Sequence, residues 1–404
     1  MPRPPNRFLP HAIFLSLLIA ATAWSGAAAM LLPLPDGPND FNAPGFVLRH
    51  AWGKFAMLAS RPFRGELSAP DQDAKVARYF ELNRLVQERE RIAGDADGAG
   101  VARAAALAEL PALRKERARL ENSVELILEG RLTQVIEEAG LTRHLGRDVV
   151  WPPVNIEFQA PPSVLVKSPR SEIKKESETL LQADLPIERA EKIEAEAERD
   201  GETSALVVEI GGIAMYPAII PEESDYRYVL EDIAHEWMHH YLYFTPLGRR
   251  YFSSAKLTTL NETVADIVGK ELGDMAYAAY PPPGARTSGG RSASPPAQRI
   301  DFTAEMRGLR REVEALLRDG RIEDAERLME EKRRFLAANG YYIRKLNQAY
   351  FAFHGSYAGS AGSIDPIGPK LDALRDRSET LAEFVERARE LTSEDALDRG
   401  LATP

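Results

Sequence analysis

Residues 228–244 read YVLEDIAHEWMHHYLYF and contain His235, Glu236 and His239 in the spacing H-E-x-x-H. On an α-helix, residues four positions apart lie about 40° apart around the axis and one turn apart along it, so both imidazoles can share a metal ion. Glu236 points about 100° away from His235, so its carboxylate can reach a water on the metal without binding the metal itself. The stretch therefore predicts a helix that supplies two zinc ligands and a general base.

One face of this helix is apolar, which predicts that the helix is largely buried. The residues of that face are Leu230, Ala234, Trp237, Met238 and Tyr241. Ser224 or Asp225 can cap the start of the helix, and Thr245-Pro246 is expected to end it. The carboxylates within the same stretch exclude a transmembrane helix.

A second helix is predicted to begin near residues 258–259 and to run through LNETVADIVGKELGD, residues 260–274. It carries Glu262 and, four positions later on the same face, Asp266. Glu262 follows His239 by 23 positions, which is enough chain for a turn and an antiparallel helix, so Glu262 is the candidate third zinc ligand. Asp266 can then accept the spare N–H of a ligand histidine.

Two structural interpretations compete with this metal site. Thr259 and Glu262 also fit a capping box, in which Glu262 would satisfy the N-terminus of its own helix. The two histidines could likewise be core residues whose ring nitrogens are satisfied by neighbouring groups. Neither interpretation accounts for the five polar positions together, so we expect a metal site. These positions are His235, Glu236, His239, Glu262 and Asp266. Because the chain has no cysteine, the ligands must be His, Asp or Glu.

HEWMH followed by NETVAD resembles the gluzincin superfamily of zinc metallopeptidases, which includes thermolysin and the aminopeptidase N-like enzymes. The family pattern is H-E-x-x-H and then N-E-x-x-x-D or N-E-x-x-A on the next helix. The residues that fit both forms are Asn261, Glu262, Ala265 and Asp266. The resemblance implies that one Zn²⁺ ion is bound by His235, His239 and Glu262. It also implies that Glu236 is general base and proton shuttle and that Asp266 orients His235.

The resemblance covers residues 229–271 and departs from the family in two respects. The interval before the third ligand is a few residues longer than in thermolysin. The G-x-M-E-N segment, with which aminopeptidases bind a free N-terminus, has no clear counterpart. The resemblance therefore implies metal binding and hydrolysis rather than aminopeptidase specificity.

The region before the first ligand helix has the pattern of β-strands. VNIEF at 154–158 alternates apolar and polar residues, SVLVK at 163–167 follows a proline turn, and ALVVEIGGIAMYPAII at 205–220 is a third β-rich run. Because these strands precede the ligand helices, the sequence predicts an α+β, predominantly helical fold. The resemblance implies a zincin-like catalytic core over residues 146–275, built from a small mixed sheet and the two zinc-ligand helices. In it, EIGGIAMYP at 209–217 would be the edge strand that holds substrate, or else an ordinary strand with a bulge.

The remaining chain is predicted to be mostly helical scaffold. Residues 33–145 comprise a Pro/Gly-rich tether and a long helical hairpin arm around GDADGAG. Residues 276–300 are a Pro/Gly/Ser-rich loop that is predicted to be disordered. Residues 301–404 are a C-terminal helical region, with a second hairpin, that completes the active-site cleft. The long, coiled-coil-like arms would restrict access to the cleft or dock to a protein partner.

The wall of the cleft opposite the zinc is expected within YYIRKLNQAYFAFHGSYAGSAGS, residues 341–363. A peptidase needs a hydrogen-bond donor for the oxyanion that forms during attack, and His354, Tyr350 and Tyr357 each offer one. In the family this donor comes from a helix after the zinc ligands, so the order along the chain agrees. Tyrosines at helical spacing more often lie in a core, which is the structural alternative.

The N-terminus predicts export. Arg3 and Arg7 precede an apolar run over residues 12–32, with small residues at 26–29. Residues 1–32 are therefore expected to be a secretory signal peptide or, since the run is long enough to span a bilayer, an N-terminal membrane anchor. A buried helix of the mature fold is the third interpretation. Both main interpretations place the chain outside the cytoplasm, where it is secreted, periplasmic or anchored to the outer face of the membrane.

Composition excludes several classes of function. The net charge of −10 argues against nucleic acid as a partner, and the absence of cysteine excludes disulfides and a thiol nucleophile. With 404 residues, 44% of them hydrophobic, the chain can bury a sizeable core. The sequence thus predicts an exported zinc metallopeptidase that hydrolyses peptide bonds in a peptide or protein substrate. The alternative is a non-catalytic envelope interaction or scaffold protein on a zincin-like core, and zinc could also serve another hydrolysis.

Overall fold

The computed structural model describes residues 37–47, 49–50, 67–94, 100–144, 148–282, 300–358 and 360–402. The expected signal peptide or anchor, part of the tether region and most of the loop predicted at 276–300 lie outside these ranges. Within them, none of the helices combines the length and the apolar character that a membrane span requires.

Helices make up most of the described chain, and short strands form small sheets between them. The helices are α1 (Ala69–Gly94), α2 (Gly100–Glu138), α3 (Ile187–Ala197), α4 (Tyr226–Leu242), α5 (Pro246–Arg249), α6 (Ala255–Ala279), α7 (Phe302–Arg318), α8 (Ile322–Ala338), α9 (Gln348–His354), α10 (Ile367–Asp376), α11 (Leu381–Ala388) and α12 (Glu394–Ala402). The strands are β1 (Arg143–His144), β2 (Asp148–Val149), β3 (Ile156–Phe158), β4 (Ser163–Pro169), β5 (Ser177–Leu181), β6 (Thr203–Glu209) and β7 (Ala218–Ile220). The predicted α+β, predominantly helical fold is confirmed.

The strands of the described chain form three small sheets, so the prediction of one mixed sheet is wrong. β4 lies between β5 and β6 in an antiparallel sheet, with Val164 opposite Val208. β3 pairs in parallel with β7, and β1 pairs with β2. The third predicted run is divided into β6 and β7 because residues 210–217 leave the ladder. This segment contains two glycines, which have no side chain to pack, and Pro217, which has no N–H to donate.

Helices α4 and α6 pack closely against each other and carry the candidate ligands. The close approach depends on two glycines of α6. A Cβ at Gly269 would lie 2.9 Å from the backbone oxygen of Glu231, and a Cβ at Gly273 would lie 2.7 Å from Glu231 Cα. The two helices share the main hydrophobic core, in which Trp237 is 1% exposed and donates its Nε1–H to Pro152 O at 2.8 Å.

The hairpin of α1 and α2 is fastened to the core at its base. Glu129 and Glu125 of α2 are buried and accept hydrogen bonds from the backbone N–H groups of Ile156 and Phe158 in β3, at 2.9 and 2.8 Å. These carboxylates satisfy the edge of β3 that does not face β7. The base of the predicted arm therefore belongs to the core, while most of residues 100–119 are exposed.

The C-terminal region packs around the ligand helices and the three-stranded sheet. α9 lies on that sheet, where Phe353 shares an apolar cluster with Val166. α7 and α8 form the predicted second hairpin and pack on Phe351 of α9. Helices α10 to α12 pack against α6, and Arg375 of α10 forms a bidentate ion pair with Glu271 at 2.7 and 3.0 Å.

Candidate metal centre

Helix α4 brings His235 and His239 together. Asp225 caps this helix, because its side chain accepts hydrogen bonds from the backbone N–H groups of Arg227 and Tyr228 at 3.0 and 3.2 Å. The H-E-x-x-H spacing then places the Nε2 atoms of His235 and His239 3.0 Å apart, with both side chains largely buried.

Glu262 lies well inside α6 rather than at its start. The helix begins at Ala255, three residues earlier than predicted, because the Ser254 side chain caps it by accepting a hydrogen bond from Leu257 N. The capping-box interpretation is therefore wrong, since Thr259 is not the capping residue. The side chain of Glu262 is 4% exposed and points toward α4.

The three facing atoms have the spacing of ligands around one metal ion. Glu262 Oε2 lies 3.6 Å from His235 Nε2 and 3.4 Å from His239 Nε2, and the two nitrogens are 3.0 Å apart. Ligand atoms about 2.0–2.1 Å from a tetrahedral ion lie about 3.3 Å from one another, so these separations fit one ion of that size. Two imidazoles and a carboxylate are also a donor set that leaves a fourth position open on zinc.

The outer nitrogen of each imidazole is occupied, which fixes the orientation of both rings. His235 Nδ1 lies 3.1 Å from Oδ1 of Asp266, the residue expected to orient it, and His239 Nδ1 lies 2.8 Å from Asn261 Oδ1. Since these oxygens accept, each Nδ1 carries a proton, and neutral rings would present two Nε2 lone pairs to the Glu262 carboxylate. A proton or a metal ion between the three groups would remove the repulsion between these lone pairs and the carboxylate.

Burial and charge shift the pKa values of the cluster in opposite directions. Burial acts to lower the pKa of His235, but hydrogen bonds to Asp266 and Glu262 outweigh it and raise that pKa well above its ordinary value. Burial acts to raise the pKa of Glu262, but the two imidazoles hold it well below its ordinary value. The metal-free cluster therefore holds a proton, which a bound metal ion would displace.

Tyr251, which no sequence motif marks, donates its hydroxyl to Glu262 Oε1. It lies in the short 3-10 turn Tyr251–Ser253 between α5 and α6, and its ring stands edge-on to that of His239 with 6.1 Å between centroids. The hydrogen bond leaves Oε2 as the oxygen that faces the histidines. A tyrosine in a connection between two ligand helices obeys no spacing rule, so sequence reasoning could not find it.

Glu236 lies on the neighbouring face of α4, beneath the segment that follows β6. Its side chain is 5% exposed, and a Cβ at Gly212 would lie 2.6 Å from its Oε1. Burial raises the pKa of Glu236, although the two histidines oppose that shift. A raised pKa makes a carboxylate a stronger base toward water, which is the role that the sequence suggested.

A cleft of about 1760 Å³ passes over the cluster. Its lining includes residues 209–216 and, among large aromatic side chains, Tyr243, Phe244 and Phe252. The segment expected to be an edge strand thus borders the cleft, but as an irregular segment in which Ile213 makes a single bridge to Ile219.

Of the three candidate oxyanion donors, His354 and Tyr357 line the cleft and Tyr350 does not. The negative charge of Glu262, together with burial, raises the pKa of Tyr357 well above its ordinary value, so its hydroxyl stays protonated. Burial lowers the pKa of His354 to about 4, so its imidazole is neutral at neutral pH. The Tyr350 ring packs against His354, with 4.3 Å between centroids, and joins apolar clusters of the core. Tyr350 therefore belongs to the packing of α9 and not to the lining of the cleft.

A second group of carboxylates, Glu121, Glu125 and Glu157, lies at the base of the α1–α2 hairpin. Glu125 accepts the backbone hydrogen bond described above, and Glu157 pairs with His50 at 3.0 Å. Glu125 and Glu157 therefore have partners within the protein, while burial and the neighbouring carboxylates raise the pKa of Glu121 to about 7.

Comparisons with protein-family models, with curated proteins and with solved structures find no significant match to this chain. Function is therefore inferred from the residues of the cluster and from their geometry.

Proposed function

We propose that the protein is an extracytoplasmic zinc metallopeptidase of the gluzincin type with a zincin-like core. The observation that carries the proposal is the convergence of His235 Nε2, His239 Nε2 and Glu262 Oε2 at separations of 3.0, 3.4 and 3.6 Å. Two packed helices, one with an H-E-x-x-H pair and the next with a glutamate, are also what the resemblance to gluzincins implies.

Glu236 is the proposed general base and acid. When bound, zinc would supply a Lewis acid that polarises the scissile carbonyl and lowers the pKa of a water. Glu236 takes a proton from the attacking water, whose oxygen bonds to the carbonyl carbon, and passes that proton to the leaving amine as the C–N bond breaks. Tyr357 or His354 donates a hydrogen bond to the carbonyl oxygen, on which negative charge develops. The products are a carboxylic acid and an amine, so no further reactant is required.

The irregular segment over residues 209–216 is the proposed resting place of the substrate. It lines the cleft, and a Cβ at Gly212 would lie 2.6 Å from Glu236 Oε1. Because Gly211 and Gly212 have no side chains, the backbone of an extended peptide can approach this segment closely. A peptide or protein substrate would then present one carbonyl near Glu236.

The proposal is tested by comparing wild type with Glu236→Gln and, as a matched control, Glu231→Gln. Glu231 lies on the same helix and lines the same cleft, but it is ion-paired with Arg227 at 3.1 Å. We expect zinc in all three proteins, and hydrolysis of a quenched fluorescent peptide library that is slower in Glu236→Gln by at least ~100-fold. Wild-type protein that takes up no zinc from a buffered excess would refute the proposal. Zinc uptake without cleavage of any peptide would favour the non-catalytic scaffold or another hydrolysis.

A further inference from the structure

Asp232 is a half-buried acid that the proposed hydrolysis does not use. It lies on α4 one turn before Glu236, and it lines the cleft. Its Oδ2 is buried and has no hydrogen-bond partner among the described residues. Buried carboxylate oxygens are almost always hydrogen-bonded or paired with a cation, so an unpartnered one beside a cleft requires an explanation.

The charged groups that act on Asp232 do not neutralise it. Burial raises the pKa of Asp232 well above its ordinary value, and the carboxylates of Glu236 and Glu223 add to this shift. The one opposing group is His235, which is a proposed zinc ligand. The described chain therefore offers Asp232 no dedicated cationic partner.

Two basic side chains act instead on Glu231, the residue before Asp232. Arg227 forms an ion pair with Glu231 at 3.1 Å, and Lys270 also acts on Glu231. Glu231 is thus a matched carboxylate on the same cleft that already has partners.

The other carboxylate oxygen of Asp232, Oδ1, lies beside Gly211, which also lines the cleft. A Cβ at Gly211 would lie 3.9 Å from Asp232 Oδ1 and 3.2 Å from the hydroxyl oxygen of Tyr228. All three residues line the cleft, and Tyr228 is 46% exposed. Because Gly211 has no side chain, it does not cover Asp232 Oδ1 or the Tyr228 hydroxyl. Both oxygens can therefore accept hydrogen bonds from an ammonium or guanidinium group that enters the cleft.

We propose that Asp232 and Tyr228 form a subsite for a cationic group of the substrate, one helical turn from Glu236. The proposal rests on the peptidase function proposed above and names its substrate class, peptides with a positive charge close to the scissile bond. That charge is the α-amino group or the side chain of lysine or arginine. Its binding to Oδ1 places a positive charge beside a carboxylate that has no cationic partner of its own among the described residues.

Binding is measured on zinc-loaded Glu236→Gln protein, so that peptides are not cleaved during the measurement. The probes are C-terminally labelled peptides with one lysine at successive positions or norleucine in its place, each with a free or an acetylated N-terminus. The zinc-loaded Glu236→Gln protein is the parent protein. Fluorescence anisotropy gives the affinity of each peptide for the parent protein and for the parent protein that also carries Asp232→Asn or Glu231→Gln. Asn keeps the size of Asp and removes a buried unpaired charge, so Asp232→Asn should fold with an undiminished thermal midpoint and zinc content.

The parent protein and the Glu231→Gln control should bind a cationic peptide ~10- to 100-fold more tightly than its neutral counterpart, and Asp232→Asn should lose this preference. Sensitivity to acetylation identifies the α-amino group as the cation, whereas sensitivity to norleucine identifies the side chain. Equal binding, or no binding, of cationic and neutral peptides by the parent protein overturns the subsite, as does a preference that survives in Asp232→Asn. Failure of the peptidase proposal is distinct, since wild type would then neither take up zinc nor cleave any peptide.

Discussion

Replacing Tyr251 by phenylalanine is expected to weaken metal binding without changing the fold. The substitution removes only the hydroxyl that donates to Glu262 Oε1. Glu262 is 4% exposed, so water cannot readily replace that donor, and the carboxylate becomes free to turn Oε2 away from the histidine nitrogens 3.4 and 3.6 Å away. A hydrogen bond to a charged group contributes about 1.5–3 kcal/mol, and about 1.4 kcal/mol is tenfold in an equilibrium constant. The zinc dissociation constant should therefore rise about 10- to 100-fold, the range for groups that orient a metal ligand.

The assay is competition for zinc with a chromophoric chelator, performed on wild type, Tyr251→Phe and Tyr243→Phe. Tyr243 lines the same cleft but is 57% exposed and follows the end of α4, so loss of its hydroxyl should leave zinc affinity unchanged. If Tyr251→Phe binds zinc as tightly as wild type, the hydroxyl does not hold Glu262 and the reasoning is refuted. Equal weakening in both variants would also refute it, because the effect would not depend on the contact with Glu262.

Three further predictions concern the reacting groups and the wall opposite the ligands. Gly212→Ala would place a Cβ 2.6 Å from Glu236 Oε1, so kcat should fall about 100-fold while zinc content stays unchanged by metal analysis. Tyr357→Phe should lower kcat about 100- to 1000-fold with unchanged zinc affinity, and an undiminished kcat would exclude this hydroxyl as the oxyanion donor. Burial lowers the pKa of His354 to about 4, whereas the pKa of histidine in the unfolded chain is about 6.5. The unfolded state therefore takes up the proton first, and the stability of the fold decreases as the pH drops from about 6.5 to 4. Between about pH 7.5 and pH 5 the free energy of unfolding should fall by about 2 kcal/mol for this reason. In His354→Gln this part of the fall should be absent when urea unfolding is measured at both pH values. An equal fall in both proteins would contradict the prediction.

The half of the site on α4 could be predicted because its causes are local. A capping Asp225 and the geometry of residues four apart need no knowledge of the rest of the fold, and the two Nε2 atoms indeed lie 3.0 Å apart. The start of α6 was harder to predict, since several hydroxyl residues before it are acceptable caps. The Thr258 hydroxyl donates to Tyr251 O at 2.7 Å, which leaves Ser254 to cap the helix. That choice depends on the turn before the helix and not on the helix pattern.

The sheets could not be predicted because their pairing is non-local. β5 has the sequence SETLL, and only its last residue is buried, so it lacks the alternation that marks a strand. It is a strand because β4 pairs with one edge, while Phe41 N donates to Leu180 O at 3.0 Å. In the parallel pair, Ile156 of β3 lies opposite Ala218 of β7. The three-stranded sheet and a helix lie between these two strands in the sequence. Such pairings follow from the packing of whole elements and not from the pattern of one strand.

The wall that carries Tyr357 is likewise fixed by a residue far away in sequence. Arg310 of α7 donates from Nη1 to Phe351 O at 2.9 Å and to Gly362 O at 3.3 Å, and it thereby joins the last turn of α9 to the end of the loop that follows. The α7–α8 hairpin, which its sequence marked only as scaffold, thus binds the backbone on both sides of the segment that contains Tyr357. Helical spacing suggests Tyr350 and Tyr357 equally, but of these two residues only Tyr357 lines the cleft. The contact between Arg310 and Phe351 spans 41 positions of the chain. The side of the cleft that carries the candidate metal ligands is therefore specified by a motif, and the opposite side by tertiary contacts that no motif records.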